Sequence, residues 1–271
     1  MEYKRTDALI ILFFFYSLFI FYLMISPPVE PDHHMFYTLY AFGILISTIG
    51  LTSIFCIKLE ALKKVHFISA LIFGVLSMAI TIPLIITGVA MGISTFFIYL
   101  ASISLSHTSE YRMKMITSFK LRDISIDLLL IATIALSFML LHINTLITSD
   151  VSFQINLIPL LFVALNSLAP AISEEIIFRM FLFALMIKIN KGYNVSTITM
   201  LIIMIVPFVL IHVIDIAVIY GFWHPNTLGI IISITPVSVV ISVLALKRNI
   251  FTAIGVHFMY NFIIANISFI L

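Results

Sequence analysis

Charge is scarce in this sequence: Asp, Glu, Lys and Arg make up 10% of its 271 residues, where a soluble domain carries about 25%. Hydrophobic residues reach 62% and the mean hydropathy is +1.24. Polar side chains are therefore too few to clothe a single water-soluble core, and lipid must be part of the solvent. Cysteine is scarcer still. The lone Cys56 excludes an intrachain disulfide framework and a cysteine-rich metal site, and within its apolar run it reads as a small hydrophobe. The net charge of +2 comes without a basic tail, which leaves no electrostatic footprint for nucleic acid. Internal repeats and low-complexity segments are missing, as are the short alternating segments of a transmembrane β-barrel.

What the sequence has in quantity is long apolar runs. About 20 apolar residues cross a hydrocarbon core of roughly 30 Å as a helix, and only helices or closed barrels satisfy their backbone groups there. The fold class is therefore all-α, a polytopic transmembrane helix bundle of eight or nine spans. They are drawn at 8–26, 36–57, 66–87, 89–106, 124–147, 154–189, 195–220, 228–246 and 250–271. The first follows Lys4 and Arg5 but is longer than a signal-peptide core and lacks a small-x-small cleavage site, so it reads as an uncleaved span. The run from 66 to 107 is split near Gly88. The run from 154 to 189 contains Pro170 and is read as broken, with one net crossing. This layout gathers Lys4/Arg5, Lys58/Lys63/Lys64, Arg112/Lys114/Lys120/Arg122, Lys188/Lys191 and Lys247/Arg248 on one side. The positive-inside rule then predicts a cytoplasmic N-terminus in the cell membrane. Residues 1–150 form N-terminal membrane helices without a recognisable role, and 151–271 the motif-bearing core, within one membrane domain.

A charge at the centre of a membrane helix costs at least ~2.5–3.5 kcal/mol, so the few that lie there ask for an explanation. They cluster in Ser173-Glu174-Glu175-Ile176-Ile177-Phe178-Arg179. On a helix Glu175 and Arg179 stand at i and i+4 and can neutralise each other, whereas Glu174 points about 100° away without a partner in its own helix. Pro170 and Ser173 suggest that a helix begins here, with Ser173 as its N-cap. Further on, Phe208 precedes His212 by four residues, with Asp215 one turn later, and His257 precedes Asn261 by four. At ~1.5 Å per residue, Glu174 lies about 21 Å from Lys188, His257 about 15 Å and Asn261 about 21 Å from Lys247, and His212 about 25 Å from Val195. Three segments thus bring polar groups to similar depth. Taken singly, each has a purely structural reading: a self-paired Glu–Arg motif, or a buried His or Asn in an interhelical hydrogen bond. Together they form a kit for peptide hydrolysis, with Glu174 as general base, an imidazole positioning water, and the second imidazole and Asn261 donating to an oxyanion.

The order Glu-Glu-x-x-x-Arg, Phe-x-x-x-His and His-x-x-x-Asn on successive membrane helices resembles the CPBP family of intramembrane proteases. That family includes the type II CAAX prenyl endopeptidases and bacteriocin-processing or immunity-associated membrane proteins. Here the motifs stand as Glu174-Glu175…Phe178-Arg179, Phe208…His212 and His257…Asn261. The resemblance implies a glutamate-dependent endopeptidase acting on a membrane-associated protein, prenylated in the CAAX type. Glu174 would be the base and His212 would help activate water. His257 and Asn261 would form the oxyanion site, with Glu175, Arg179 and Phe208 in support. The residues also permit a zinc site of Glu174, His212 and His257 with an open position. No His-Glu-x-x-His motif is present, and metal-free, glutamate-activated water is the preferred reading. Met180, Pro207, Pro236 and Ser238 stand where small residues or glycines are more usual in the family. Two other classes fit intramembrane carboxylates and histidines: a proton-coupled transporter, and a catalytically idle membrane scaffold or immunity protein.

Overall fold

A computed structural model describes residues 46–78, 85–107, 120–148, 157–189, 196–221 and 223–270. The expected span at 8–26 and the first part of 36–57 lie outside the described residues. Every regular element among the described residues is helical, as a chain with no aqueous core requires. In chain order they are α1 (Ile46–Cys56), closing in a 3-10 turn, α2 (Lys64–Ser77), α3 (Ile85–Ser106) and α4 (Leu121–Thr148). Next come α5 (Leu157–Glu174), a π-helical segment (Glu175–Phe181) and α6 (Leu182–Ile189). Last are α7 (Thr197–Tyr220), α8 (Pro225–Lys247) and α9 (Ile250–Ile270). Among the described residues, Gly88–Ser106, Leu121–Leu140 and Pro225–Lys247 are long and apolar enough to cross a membrane; the others that qualify by composition are shorter.

Three expectations from the sequence are corrected. Helix α3 runs through Gly88 without interruption, and the helix before it ends at Ser77. Glycine lowers helix propensity by only about 1 kcal/mol, too little to interrupt a helix of 22 residues. Pro170 does not break its helix: helical structure continues from Leu157 to Ile189 through the π segment. All residues from 171 to 185 are buried, and that packing outweighs the hydrogen bond Pro170 removes. Ser173 is consequently not an N-cap. It lies inside α5 and its hydroxyl donates back to the carbonyls of Ala169 (3.0 Å) and Pro170 (3.2 Å).

Two kinds of contact hold the bundle. Helices α2 and α3 cross at glycines: a Cβ on Gly74 would sit 2.9 Å from the Gly92 carbonyl oxygen, and one on Gly92 only 2.6 Å from that of Gly74. Backbones approach that closely only where side chains are absent. At the other end of the chain, α9 is joined to α4 by polar groups. Asn249 caps α9, its Oδ1 accepting from Thr252 N (2.7 Å) and Thr252 Oγ1 (3.0 Å), and its Nδ2 donates to Asp127 Oδ2 (2.9 Å). Arg248 Nε donates to the other oxygen of the buried Asp127, and Arg248 Nη2 to the Asp123 carbonyl. The π segment sits at the centre of the packing, against α3, α5, α6, α7 and α9, and so sets where its charged residues meet the rest of the chain.

Candidate active site

Helices bond their N–H groups to the carbonyl four residues back; the π segment bonds five back. Glu174 is the last residue of α5 and Glu175 the first of the π segment. Both carboxylates reach the same imidazole. Glu175 Oε1 lies 2.8 Å from His257 Nδ1, and Glu174 Oε2 lies 3.7 Å from His257 Nε2. The Glu174 oxygen also lies 3.5 Å from His212 Nε2. Segments distant in sequence, on the α5–π boundary, α7 and α9, thus converge.

Arg179 completes the inner side. Fully buried, it places Nη1 3.1 Å from Glu175 Oε1 and donates from Nη2 to Ser238 Oγ on α8 at 3.0 Å. Its Cζ stacks 4.1 Å from the centroid of Phe208, a cation–π contact. The Phe208 ring is the common wall: it meets Phe178 edge-on at 5.7 Å, His212 at 4.5 Å and His257 edge-on at 5.5 Å. Phe208 also fixes His212 through its backbone, because the Phe208 carbonyl lies 2.8 Å from His212 Nδ1.

Exposure grades across the cluster. Glu175 and Arg179 are sealed, Glu174 and His257 nearly so, and the His212 side chain keeps 30% of its surface open. His212 is therefore the most accessible member of the cluster. Glu174 Oε2 is buried without a hydrogen-bond partner among the described residues, at a cost of about 1–3 kcal/mol. A stabilising Glu–Arg lock would account for Glu175 and Arg179 but gives no reason to bury Glu174. Asn261 follows one turn after His257 on α9, half-buried, and makes no hydrogen bond to the cluster among the described residues. Asp215 lies in α7, but its side chain is outside the described set.

Two features were not foreseen from the sequence. The π segment has no signal in an apolar stretch whose periodicity is assumed to be 3.6 residues. Ser238 was noted only as a departure from the family, although a serine in the apolar run Pro236-Val237-Ser238-Val239 is the kind of residue that a buried guanidinium on another helix selects. No group of three or more His, Cys, Asp or Glu side chains among the described residues is arranged to close around a metal ion.

The cluster of buried Glu174, Glu175, Arg179 and His257 beside the partly open His212, set in an apolar helical bundle, defines the candidate site of a polytopic membrane protein. Residues 155–263, which hold every member of the cluster, match the family described as Type II CAAX prenyl endopeptidase Rce1-like, and over this part of its length the chain is similar to the CAAX-type intramembrane proteases. No curated protein and no solved structure matches the chain.

Proposed function

We propose that the protein hydrolyses a peptide bond in a membrane-associated protein, using Glu174 to activate water. The observation that carries this reading is the Glu174 carboxylate oxygen, buried without a hydrogen bond and faced by an Nε2 at 3.5 Å on one side and another at 3.7 Å on the other. Those gaps are wider than direct hydrogen bonds and suit a water held between the three atoms. In this reading Glu174 takes a proton from that water as its oxygen adds to the scissile carbonyl, and His212, at the open side, aligns it. Asn261 donates its carboxamide N–H to the oxyanion, a contribution of about 3–4 kcal/mol. Glu175, Arg179, Ser238 and Phe208 keep the carboxylate and imidazoles in register.

A prenylated substrate of the CAAX type fits a second feature. Leu160, Leu161 and Ala164 of α5 with Phe258, Met259 and Phe262 of α9 line a wholly apolar groove of about 360 Å³, of matching chemistry for an isoprenyl chain. It lies on the same α9 that carries His257 and Asn261. A cytoplasmic N-terminus in the cell membrane completes the proposal.

The test is cleavage of fluorogenic peptides, with and without a prenyl group, by purified protein in liposomes, comparing wild type with Glu174→Ala and adding a chelator in parallel. Cleavage that needs Glu174 and ignores the chelator supports glutamate-activated water; loss of activity on chelation would overturn the metal-free step. No cleavage by folded protein would overturn the protease reading and favour the idle scaffold or the carrier.

A further inference from the structure

Helix α9 turns different faces to different neighbours. At about 100° per residue, Asn261 stays within about 40° of His257, whereas Gly255 lies about 200° round the helix from it. His257 points towards the carboxylates of Glu174 and Glu175, so Gly255 points away from them. Helix α4 occupies that rear face. Its contacts run along one stripe, Asp127, Ile131, Ala135 and Phe138, with the spacing of residues that share a helix face. Asp127 accepts from Arg248 and Asn249, Ala135 packs with Ile263, and Phe138 meets Tyr260 edge-on with ring centroids 5.1 Å apart. Ile131 fills the middle of the stripe, against Gly255. A Cβ on Gly255 would stand 3.0 Å from Ile131 Cγ1 and 3.6 Å from its Cγ2, and closer still to its Cδ1. Glycine weakens a helix relative to alanine, and what it supplies here is close approach.

We propose that Ile131 is a positioning residue for the reaction: seated where Gly255 has no side chain, it sets how far α9 carries His257 and Asn261 towards Glu174. The polar joint at Asp127 fixes α9 along its axis, and Ile131 fixes it crosswise. The proposal rests on the endopeptidase reading and adds to it a residue of the N-terminal helices, whose role the sequence left open.

The front of α9 shows why that distance matters. His257 Nδ1 stands 2.8 Å from Glu175 Oε1, and its Nε2 stands 3.7 Å from Glu174 Oε2. Close-packed interiors transmit strain, so a methyl group added or removed behind the helix is felt in front of it. A misplacement of about 1 Å, caused far from the chemistry, costs about 10²-fold in rate.

The experiment compares Gly255→Ala, Ile131→Ala and the double variant Gly255→Ala/Ile131→Val in lipid nanodiscs. Peptide cleavage is read beside ¹⁵N NMR of labelled histidine, with the His257 signals identified by their loss in His257→Gln. Gly255→Ala drives a methyl group into Ile131 and is expected to lower kcat by about 10²-fold with KM little changed. It should also shift the His257 Nδ1 signal, as the distance to Glu175 changes. Ile131→Val takes away Cδ1, the nearest atom in the way, so the double variant should regain most of the lost kcat and the wild-type signal. A residue that only stabilised the bundle would lower the melting temperature in both single variants and leave the kcat of folded protein and the His257 signal as in wild type; that result overturns the proposal. So does a double variant no better than Gly255→Ala. Should Gly255→Ala not fold, Ile131→Ala, which opens a void where the other overfills, still decides, and an unmoved His257 signal overturns the proposal. A signal that moves and returns with the seat, in a protein that cleaves no peptide, upholds the positioning by Ile131 and overturns the endopeptidase reading instead.

Discussion

Removing the carboxylate of Glu174 and removing that of Glu175 should have opposite consequences. Glu174 is buried with an oxygen that lacks a hydrogen-bond partner, so Glu174→Ala relieves a cost and should abolish cleavage while leaving the melting temperature unchanged or higher. Glu175 neutralises a fully buried arginine, and Glu175→Ala strands that charge at a cost of about 3–5 kcal/mol. Thermal unfolding in detergent beside a cleavage assay checks both; equal stability loss in the two variants would sink the division of labour. Ser238→Ala takes the acceptor from Arg179 Nη2 and should cost about 1.5–3 kcal/mol, read from the same melts. At this scale the sequence was informative about which residues gather, because a charge or imidazole in an apolar run is costly and conspicuous. It showed the Glu175–Arg179 pair, at i and i+4, and was silent on the pairings between helices. That Glu175 serves His257 as well as Arg179 depends on the π segment meeting α9, and no spacing within one helix encodes it.

Helix boundaries were legible where the chemistry of the end is local and obscure where packing decides. Ser196 caps α7 by accepting from Thr199 N, and Pro225 opens α8 at the first helical position, both readable from residue type. Pro170 misled, because local propensity argued for a break and the fully buried run after it argued against one. The π segment has no local cause that residue types reveal, yet it is the element that carries Glu175 and Arg179. Two joints test how elements are held. Gly92→Val would drive a side chain into the Gly74 carbonyl, 2.6 Å from the first added carbon, and should destabilise by more than the 1–3 kcal/mol typical of overpacking, since backbone cannot step aside as a side chain can. Asp127→Ala removes acceptors from both Arg248 and Asn249 and should cost about 2–3 kcal/mol. As α4 packs chiefly on α9, hydrogen exchange in that variant should quicken in α4 and the first turn of α9 and not in α2 or α3. Uniform quickening would mean that the joint is not local.

The whole molecule must sit at one depth in the bilayer, and α8 offers the ruler. Its 23 residues span about 35 Å at 1.5 Å per residue, close to the hydrocarbon thickness with its boundaries. Lys247 and Arg248 at one end therefore put Pro225 and the preceding turn at the opposite interface. That turn holds Trp223, 87% exposed, beside a stacked Tyr220–His224 pair. Amphipathic rings collect at the headgroup level, so the exposure that would be a liability in water places Trp223 where lipid headgroups begin. Trp223 is the sole tryptophan of the chain, which makes its fluorescence a report on this one point. In liposomes, lipids brominated near the headgroup end of the acyl chain should quench it more strongly than lipids brominated near the terminal methyl. Stronger quenching from the bilayer centre would mean that α8 does not span as drawn. In that case His257 and Glu174, which are tied to α8 through Arg179 and Ser238, would lie at a different depth from the one the proposed chemistry assumes.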